Sequence, residues 1–188
     1  MTARVAPLAS PYSHEAQAAF NRIMPPGVPP LVLFTTLARD ARLWRKFRDG
    51  SLLDKGHLTL HQREIVIHRT TALCGSEYEW GVHAAFFADK AGLSAAQLYS
   101  TVHGNAEDDC WSNNDRPFIR ACDALNGSCD MNEACWSGLR ECLTEEALLE
   151  LILVAGFYRT VSYLTNTLRL PLEGFAKRFP SVNEPVVS

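Results

Sequence analysis

Apolar residues recur at helical spacing through most of the chain, and this pattern predicts the fold class. Ala16, Phe20 and Ile23 lie four and three positions apart and follow Ser13, a residue suited to cap a helix. From Leu31 to Phe47 apolar positions again recur at helical spacing. β-branched residues are scattered and no hairpin dipeptide lies between alternating runs, so no strand is predicted. The pattern predicts an all-α fold.

Capping motifs divide the middle of the chain into helices. Three capping boxes are predicted: Thr59 with Gln62, Ser76 with Glu79, and Ser94 with Gln97. The first begins a helix that should run to about Leu73, and the second begins a helix that should continue to Ala91 and stop at Gly92. Because Cys74-Gly75 separates these two helices, they are expected to form a helical hairpin.

The chain after this hairpin alternates between polar segments and further helices. Residues 105–114 are polar and acidic and are expected to form a mobile loop. A helix over 117–125 should end in a turn at 126–128, and Asp130 with Glu133 should cap the next helix.

The last predicted helix is the most apolar. It begins after Thr144, ends before Pro171, and is apolar on almost all sides from Leu148 to Phe157. This composition predicts that the helix is buried in the core or in an oligomer.

Composition excludes several classes of partner. The 188 residues, 47% hydrophobic and 21% charged with a net charge of −3, fit one soluble domain without a nucleic-acid partner. No signal peptide or membrane-spanning run is found, so a soluble cytoplasmic protein without a membrane partner is expected. Six cysteines without a Cys-x-x-Cys pair are expected to be reduced. One basic group is interpreted as a solvated or subunit-contacting face, with anion binding as the less favoured alternative: Arg39, Arg42, Arg45, Lys46 and Arg48.

Groups suited to proton transfer are concentrated in the predicted hairpin. His61, Glu64 and His68 share one stripe of its first helix, and Glu79 and His83 share a face of its second. If these faces meet, an imidazole and two carboxylates come together near a helix N-terminus, which would suit a carboxylate or enolate substrate. Without that contact, Glu64 and His68 would form an ordinary surface pair.

Each candidate also has a purely structural interpretation. Glu79 could simply complete the Ser76 capping box, and His83 could be a hydrogen-bonded core histidine. Tyr78 and Trp80 could be packing residues, and Cys74 could be an inert buried thiol. The histidines and glutamates could also bind zinc or iron, but neither the Glu-x-x-His repeats of di-iron bundles nor His-Glu-x-x-His occurs, so no metal is predicted.

Three motifs follow one another along this hairpin. They are Arg63-Glu64-Ile65-Val66-Ile67, then Cys74-Gly75-Ser76-Glu77-Tyr78-Glu79-Trp80 with His83, then Ala91-Gly92-Leu93-Ser94. With these motifs the chain resembles the carboxymuconolactone decarboxylase family and the related alkylhydroperoxidase D-like proteins, in a Tyr-Glu-Trp-x-x-His subgroup without the Cys-x-x-Cys pair. The similarity indicates an N-terminal extension with a short helix (1–27), a helical domain (28–175) and a C-terminal tail (176–188).

The resemblance implies an alkylhydroperoxidase D-like bundle of about seven to eight helices that assembles into dimers, trimers or hexamers. In the peroxidase branch a Glu and a His serve a Cys-x-x-Cys pair. Glu64 and His83 match that Glu and His, but Ser76 and Glu79 stand where the two cysteines would be. The decarboxylase branch keeps Glu-x-x-x-His, as Glu79 and His83 do here, and acts on a carboxylated lactone without metal or organic cofactor.

By this resemblance the chain is expected to be a cofactor-free lyase or isomerase acting on a small cyclic carboxylate or lactone. His83 is the expected acid–base group, Glu79 would orient it or share its proton, and Glu64 would complete the relay. Four residues are expected to bind substrate: Tyr78, Trp80, His68 and Cys74. A thiol-dependent peroxidase or antioxidant protein using Cys74, and a non-catalytic helical binding protein, are the alternatives.

Overall fold

A computed structural model describes residues 3–182 of the chain. Within that range the chain forms ten helices and no strand, which confirms the all-α prediction. The helices are α1 (His14–Ile23), α2 (Val32–Leu37), α3 (Ala41–Asp49), α4 (Leu60–Leu73), α5 (Glu77–Phe86), α6 (Ala88–Ala91), α7 (Ala95–His103), α8 (Arg116–Ser128), α9 (Glu133–Arg140) and α10 (Glu145–Leu168).

Two predicted helices are each divided in two, and this explains why ten helices form where seven to eight were predicted. The helix expected from Leu31 to Phe47 is broken because the Asp40 carboxylate accepts a hydrogen bond from the Leu43 N–H at 2.8 Å and begins α3. The helix expected to end at Gly92 is interrupted at Phe87, which leaves the helical conformation at φ −124°. Gly92 then ends α6 with a φ of 71°, a left-handed conformation that glycine adopts without strain.

The capping predictions are partly right. The boxes at Thr59 with Gln62 and at Ser94 with Gln97 are confirmed. The box at Ser76 with Glu79 is wrong, because the Ser76 hydroxyl is fully buried and bonds the Thr165 hydroxyl of α10 at 2.8 Å instead.

The predicted boundaries between α8 and α9 are also wrong. Residues 126–128 belong to α8, and the chain turns only at Cys129, whose φ is 58°. Asn132, not Asp130, caps α9 by accepting the Cys135 N–H at 2.9 Å. The Asp130 carboxylate bonds the adjacent Met131 N–H, so it is not available to the helix.

The core is built around α4 and α10. All eight side chains from Glu64 to Thr71 are buried, so α4 is covered by other elements along this length. One side of α10 supplies Leu148, Leu151, Val154 and Val161 to the same core. The central position of α4 places its ionisable residues inside the protein.

The helix α10 is less uniformly buried than its composition predicts. Leu149, Leu153 and Tyr163 are 57–64% exposed on its outer side. In length and composition α10 could cross a membrane, but half of its most apolar 18-residue stretch is buried, and core helices of soluble proteins meet the same criteria. Contact of this outer face with another subunit stays a prediction.

The segment after α10 crosses the outside of α5. The Lys177 N–H bonds the Gly81 carbonyl at 3.1 Å, and a Cβ at Gly81 would lie 2.1 Å from the Lys177 carbonyl oxygen, so only glycine allows this approach. Phe179 packs against Trp80, with ring centroids 5.4 Å apart. The described part of the predicted 176–188 tail therefore lies on the domain surface, and residues 183–188 lie outside the described range.

A buried arginine joins three of the helices. The Arg69 guanidinium of α4 donates to the carbonyl groups of Ser100, Thr101 and Gly104 at the end of α7, at 3.0–3.3 Å, and to the Asp123 carboxylate of α8 at 2.6 Å. A cation here bonds the Thr101 and Gly104 carbonyl groups in and just after the last turn of α7, and it is a second donor to the Ser100 carbonyl, which also accepts the Gly104 N–H at 2.9 Å.

Replacing the Arg69 guanidinium should lower the stability of the folded protein. Arg69→Leu removes the donor that the Thr101 and Gly104 carbonyl groups and the Asp123 carboxylate share, and we expect the free energy of unfolding to fall by about 3 kcal/mol. Urea unfolding followed by circular dichroism measures it. Arg140→Leu is the matched control, because its ion pair with Glu145 is exposed on both sides and should be worth less than about 1 kcal/mol. Equal losses in the two variants would contradict the role assigned to Arg69.

Candidate functional site

The α4–α5 hairpin brings one imidazole between two carboxylates. His83 Nδ1 lies 2.9 Å from Glu64 Oε2, and His83 Nε2 lies 3.5 Å from Glu79 Oε1. The three side chains are 0–8% exposed. His83 therefore contacts a carboxylate through each of its ring nitrogens.

The turn between the two helices fixes this arrangement. Gly75 adopts a φ of 63°, and the Ser76 N–H bonds back to the Thr71 carbonyl at 2.8 Å, which closes α4 tightly. The bond between the Ser76 and Thr165 hydroxyls then holds the start of α5 against α10.

Glu79 is not used as a helix cap. Since the Ser76 capping box does not form, the Glu79 carboxylate is free to face His83. Its second oxygen, Oε2, is buried and has no hydrogen-bond partner among the described residues. A buried carboxylate oxygen without a partner is energetically costly unless a ligand or water completes it.

The charges in this cluster shift the pKa of His83 upward. Burial alone would lower it, but the negative charge of Glu64, together with the bonds to Glu64 and Glu79, outweighs burial and raises the pKa of His83 to about 9. For Glu64 burial acts in the opposite direction, yet the charge of His83 holds its carboxyl pKa below the usual value. The pair is therefore an imidazolium and a carboxylate at neutral pH.

The second histidine of the cluster has the opposite character. His68 Nδ1 bonds the Glu64 carbonyl at 2.8 Å, and its Nε2 is buried without a partner in the described chain. Burial lowers the pKa of His68 to about 4. Its ring lies edge-on to Trp80 and His83, with centroids 5.6 and 6.3 Å away. His68 is thus a neutral residue behind the relay.

A cavity of about 580 Å³ opens beside His83 and Glu79. Six aromatic side chains line it, namely Phe34, Phe47, Phe86, Phe87, Phe157 and Tyr158. Three cations, Arg22, Arg48 and Lys90, also line it. The cavity therefore combines a surface suited to an apolar ring with cationic groups suited to an anion.

The four predicted substrate-binding residues do not line this cavity. Tyr78 is turned away, because its hydroxyl donates to the Glu173 carboxylate and accepts from the Leu33 N–H at 3.1 Å. The Trp80 indole donates to the Thr101 hydroxyl at 3.0 Å, inside the core. His68 lies behind His83, as described above. The structure therefore places the four residues away from this cavity, and their role in substrate binding stays a prediction.

Cys74 and His61 also lie away from the cavity beside His83. Cys74 is half-buried at the end of α4, with its Sγ 3.9 Å from Asn126 Oδ1. All six cysteines are unpaired. His61 contacts the Ala91 carbonyl at 2.8 Å and Asp115 at 3.1 Å, away from the relay. Within residues 3–182 no group of three or more His, Cys, Asp or Glu side chains is arranged to hold a metal ion.

Sequence reasoning missed most of the cavity wall. Phe86 and Phe87 follow His83 by three and four positions, a helical spacing that could have indicated them. Phe157 and Tyr158 come from α10, and Arg48 from α3, so only the folded chain brings them to His83. The Tyr158 ring packs perpendicular to His83 at 5.0 Å, and burial raises the pKa of its hydroxyl well above the usual value.

Comparison with known proteins agrees with the resemblance read from the sequence. Residues 41–114 match the carboxymuconolactone decarboxylase family. Among curated proteins no significant match was found.

Solved structures of low sequence identity share the fold. An uncharacterized peroxidase-related protein with an alkylhydroperoxidase AhpD core, from Ralstonia eutropha JMP134, is 18% identical, covers 90% of this chain and 93% of its own, and has a TM-score of 0.77. An uncharacterized peroxidase-related protein from Silicibacter sp. TM1040 is 15% identical, with 95% and 96% covered and a TM-score of 0.78. The debrominase Bmp8 in complex with 2,3,4-tribromopyrrole is 13% identical, with 93% and 94% covered and a TM-score of 0.72.

The two histidines should give the protein a bell-shaped dependence of stability on pH. Folded His83 keeps its proton up to about pH 9, above the unfolded value of 6.5, so its stabilisation is complete below pH 6.5 and is lost as the pH rises to about 9. Folded His68 resists protonation, so stability is lost as the pH falls from 6.5 to about 4. On each side of the profile the free energy of unfolding should fall by no more than about 3 kcal/mol.

Urea unfolding at a series of pH values tests this expectation. In His83→Gln the loss on the alkaline side should disappear, whereas the exposed control His103→Gln should keep both sides of the profile. NMR titration of the histidine ring protons reports the two pKa values directly. An alkaline loss of wild-type size in His83→Gln would contradict the assignment.

Proposed function

We propose that this chain, whose residues 41–114 match the carboxymuconolactone decarboxylase family and whose fold is alkylhydroperoxidase D-like, is an acid–base enzyme acting on a small cyclic carboxylate or lactone. The observation that carries the proposal is His83, held between Glu64 and Glu79 at the wall of an aromatic cavity. This arrangement supports cofactor-free decarboxylation or isomerisation by proton transfer.

The cavity wall supports a ring-shaped anionic substrate. Six aromatic side chains offer flat apolar surfaces to an unsaturated ring. Arg48 and Lys90 can pair with a substrate carboxylate, and Lys90 Nζ already lies 5.7 Å from the centroid of the Phe87 ring. The tribromopyrrole bound by debrominase Bmp8 is also a small ring, which supports ligands of this size in the shared fold.

His83 is the proposed proton donor. Its Nε2 lies 3.5 Å from Glu79, a long distance for a hydrogen bond, so a substrate atom that approaches more closely can replace Glu79 as the acceptor of this proton. The Nδ1 side stays bonded to Glu64 at 2.9 Å, which fixes the ring and balances its positive charge. Glu64 thus acts through His83 as a positioning residue.

In decarboxylation the bond to the carboxylate carbon breaks, its electron pair forms an enolate, and carbon dioxide leaves. His83 Nε2 then gives its proton to the enolate carbon, and neutral His83 recovers a proton from water. In isomerisation Glu79 removes a proton beside a carbonyl, and the proton returns at another carbon. Tyr158 lines the same cavity and its hydroxyl stays protonated, so it is the proposed donor to the enolate oxygen.

A thiol-dependent peroxidase is the second candidate, because two structural neighbours are described as peroxidase-related. Cys74 would be its thiol. This cysteine does not line the cavity beside His83, and its sulfur contacts Asn126. A peroxidase would therefore use chemistry separate from the Glu64, His83 and Glu79 relay.

Exchange in deuterium oxide tests the acid–base proposal without advance knowledge of the substrate. A panel of small cyclic carboxylates and lactones is incubated with the protein, and NMR follows deuterium incorporation and loss of the carboxylate. We expect His83→Gln and Glu79→Gln each to slow the reactive compound by at least about 100-fold. Glu77→Gln, the same substitution two residues before Glu79, should stay within about twofold.

The same variants separate the alternatives. Consumption of an organic hydroperoxide that is lost in Cys74→Ser but kept in His83→Gln would establish the peroxidase instead. Binding of a panel compound without exchange, decarboxylation or peroxide consumption would establish a binding protein. In each variant circular dichroism and the thermal midpoint confirm that the fold is kept.

A further inference from the structure

A second cavity, of about 650 Å³, lies between α1 and the α2–α3 segment. Five alanines, Ala16, Ala18, Ala19, Ala38 and Ala41, line it together with Trp44. Because an alanine side chain ends at Cβ, the facing elements leave an open groove between them. The buried Trp44 indole N–H has no hydrogen-bond partner in residues 3–182.

Four arginines stand around this groove. Arg42, Arg45 and Arg48 are spaced three apart on α3, and Arg22 comes from α1. Glu15 is the one acidic residue among those lining the described groove. The four guanidinium groups therefore exceed the acidic groups on its wall, and the local charge is strongly positive.

These arginines are almost without partners. Within the described residues, no hydrogen bond or ion pair engages the side chains of Arg22, Arg42 or Arg45, and Arg48 reaches only Asp49, at 3.8 Å. A solvated helix face would account for the cations of α3 alone. It does not account for Arg22, which approaches the same groove from another helix.

The groove is adjacent to the cavity of the relay. Arg22 and Arg48 line both cavities, so the two sites share these arginines. The Arg48 guanidinium lies 6.0 Å from the Trp44 ring centroid, which places a cation at the junction.

We propose that this arginine groove, defined by Arg22, Arg42, Arg45 and Arg48, binds a phosphate-type anion such as a phosphate ester or a diphosphate. Planar guanidinium groups form paired hydrogen bonds with such oxygens, and several of them match a group with more than one negative charge. If the proposed function also holds, the substrate carries its reacting ring in the aromatic cavity and a phosphate-bearing extension in the groove. That further step rests on the proposed function, whereas anion binding does not.

Titration calorimetry with inorganic pyrophosphate tests the groove. We expect saturable binding to the wild-type chain and at least about tenfold weaker binding to Arg42→Gln/Arg45→Gln. The control is Lys46→Gln/Arg140→Gln, which removes the same charge. Lys46 is on α3 but does not line the groove, and Arg140 lies on α9, so binding should change by less than about twofold.

A second variant places charge in the groove without removing an arginine. Ala18→Glu puts a carboxylate into its wall and should also weaken pyrophosphate binding by about tenfold, while the half-exposed site on α1 keeps the helix intact. His83→Gln should bind pyrophosphate like the wild type even where all exchange activity is lost, which distinguishes failure of the groove from failure of the relay.

Three results would overturn the proposal. One is the absence of saturable pyrophosphate binding to the folded wild type. Another is equal weakening in the Lys46→Gln/Arg140→Gln control, which would show only general attraction to a basic helix. The third is affinity for an oligonucleotide that grows with its length and exceeds that for pyrophosphate, since that would indicate a nucleic-acid surface larger than the groove.

Discussion

The buried ion pair between Glu64 and His83 is the interaction on which the rest of the site depends. Both side chains are almost without solvent contact, and an ion removed from water is tolerated only when a partner compensates it. Removing one member of such a pair costs about 3–5 kcal/mol, because the other charge is left uncompensated. The fold must therefore hold α4 and α5 in one register, and the Gly75 turn and the Ser76–Thr165 bond do so.

The same pair determines which histidine of the cluster is protonated. His83 is kept charged by Glu64, while His68, one turn further along α4, is kept neutral by burial. Two imidazoles with ring centroids 6.3 Å apart thus have opposite protonation states at neutral pH. Only His83 reaches the cavity, so the group offered to a ligand there is a proton donor beside the Glu79 carboxylate.

The parts that could be predicted from the sequence are those set by local spacing. Helical periodicity and the Thr59 and Ser94 capping boxes are short-range features, and they appear in the structure as expected. The meeting of Glu64, Glu79 and His83 also follows from residue spacing, once the two helices form a hairpin. The family resemblance added a reason to expect that the hairpin closes on this face.

What could not be predicted depends on contacts between distant segments. Tyr78 was expected to face a ligand, but its hydroxyl group donates a hydrogen bond to the carboxylate of Glu173, 95 positions further along the chain. The Ser76 hydroxyl was expected to cap α5, but Thr165 of α10 offers a buried partner that local spacing cannot reveal. In each case the hydrogen-bond partner of a polar group is distant in the sequence, so no short motif can indicate it.

The surroundings of Ser76 and Glu79 bear on the kind of chemistry that the cavity supports. By resemblance, Ser76 and Glu79 stand where peroxidase-type relatives have two cysteines, and here the two positions have separate surroundings. The Ser76 side chain is enclosed and bonded to α10, so it contributes to holding the hairpin. The Glu79 side chain faces His83 and the cavity, with one carboxylate oxygen unpartnered. A carboxylate therefore lies beside the His83 imidazole at a position where the resemblance implies a thiol in the peroxidase branch, and this arrangement supports the proposed proton transfer.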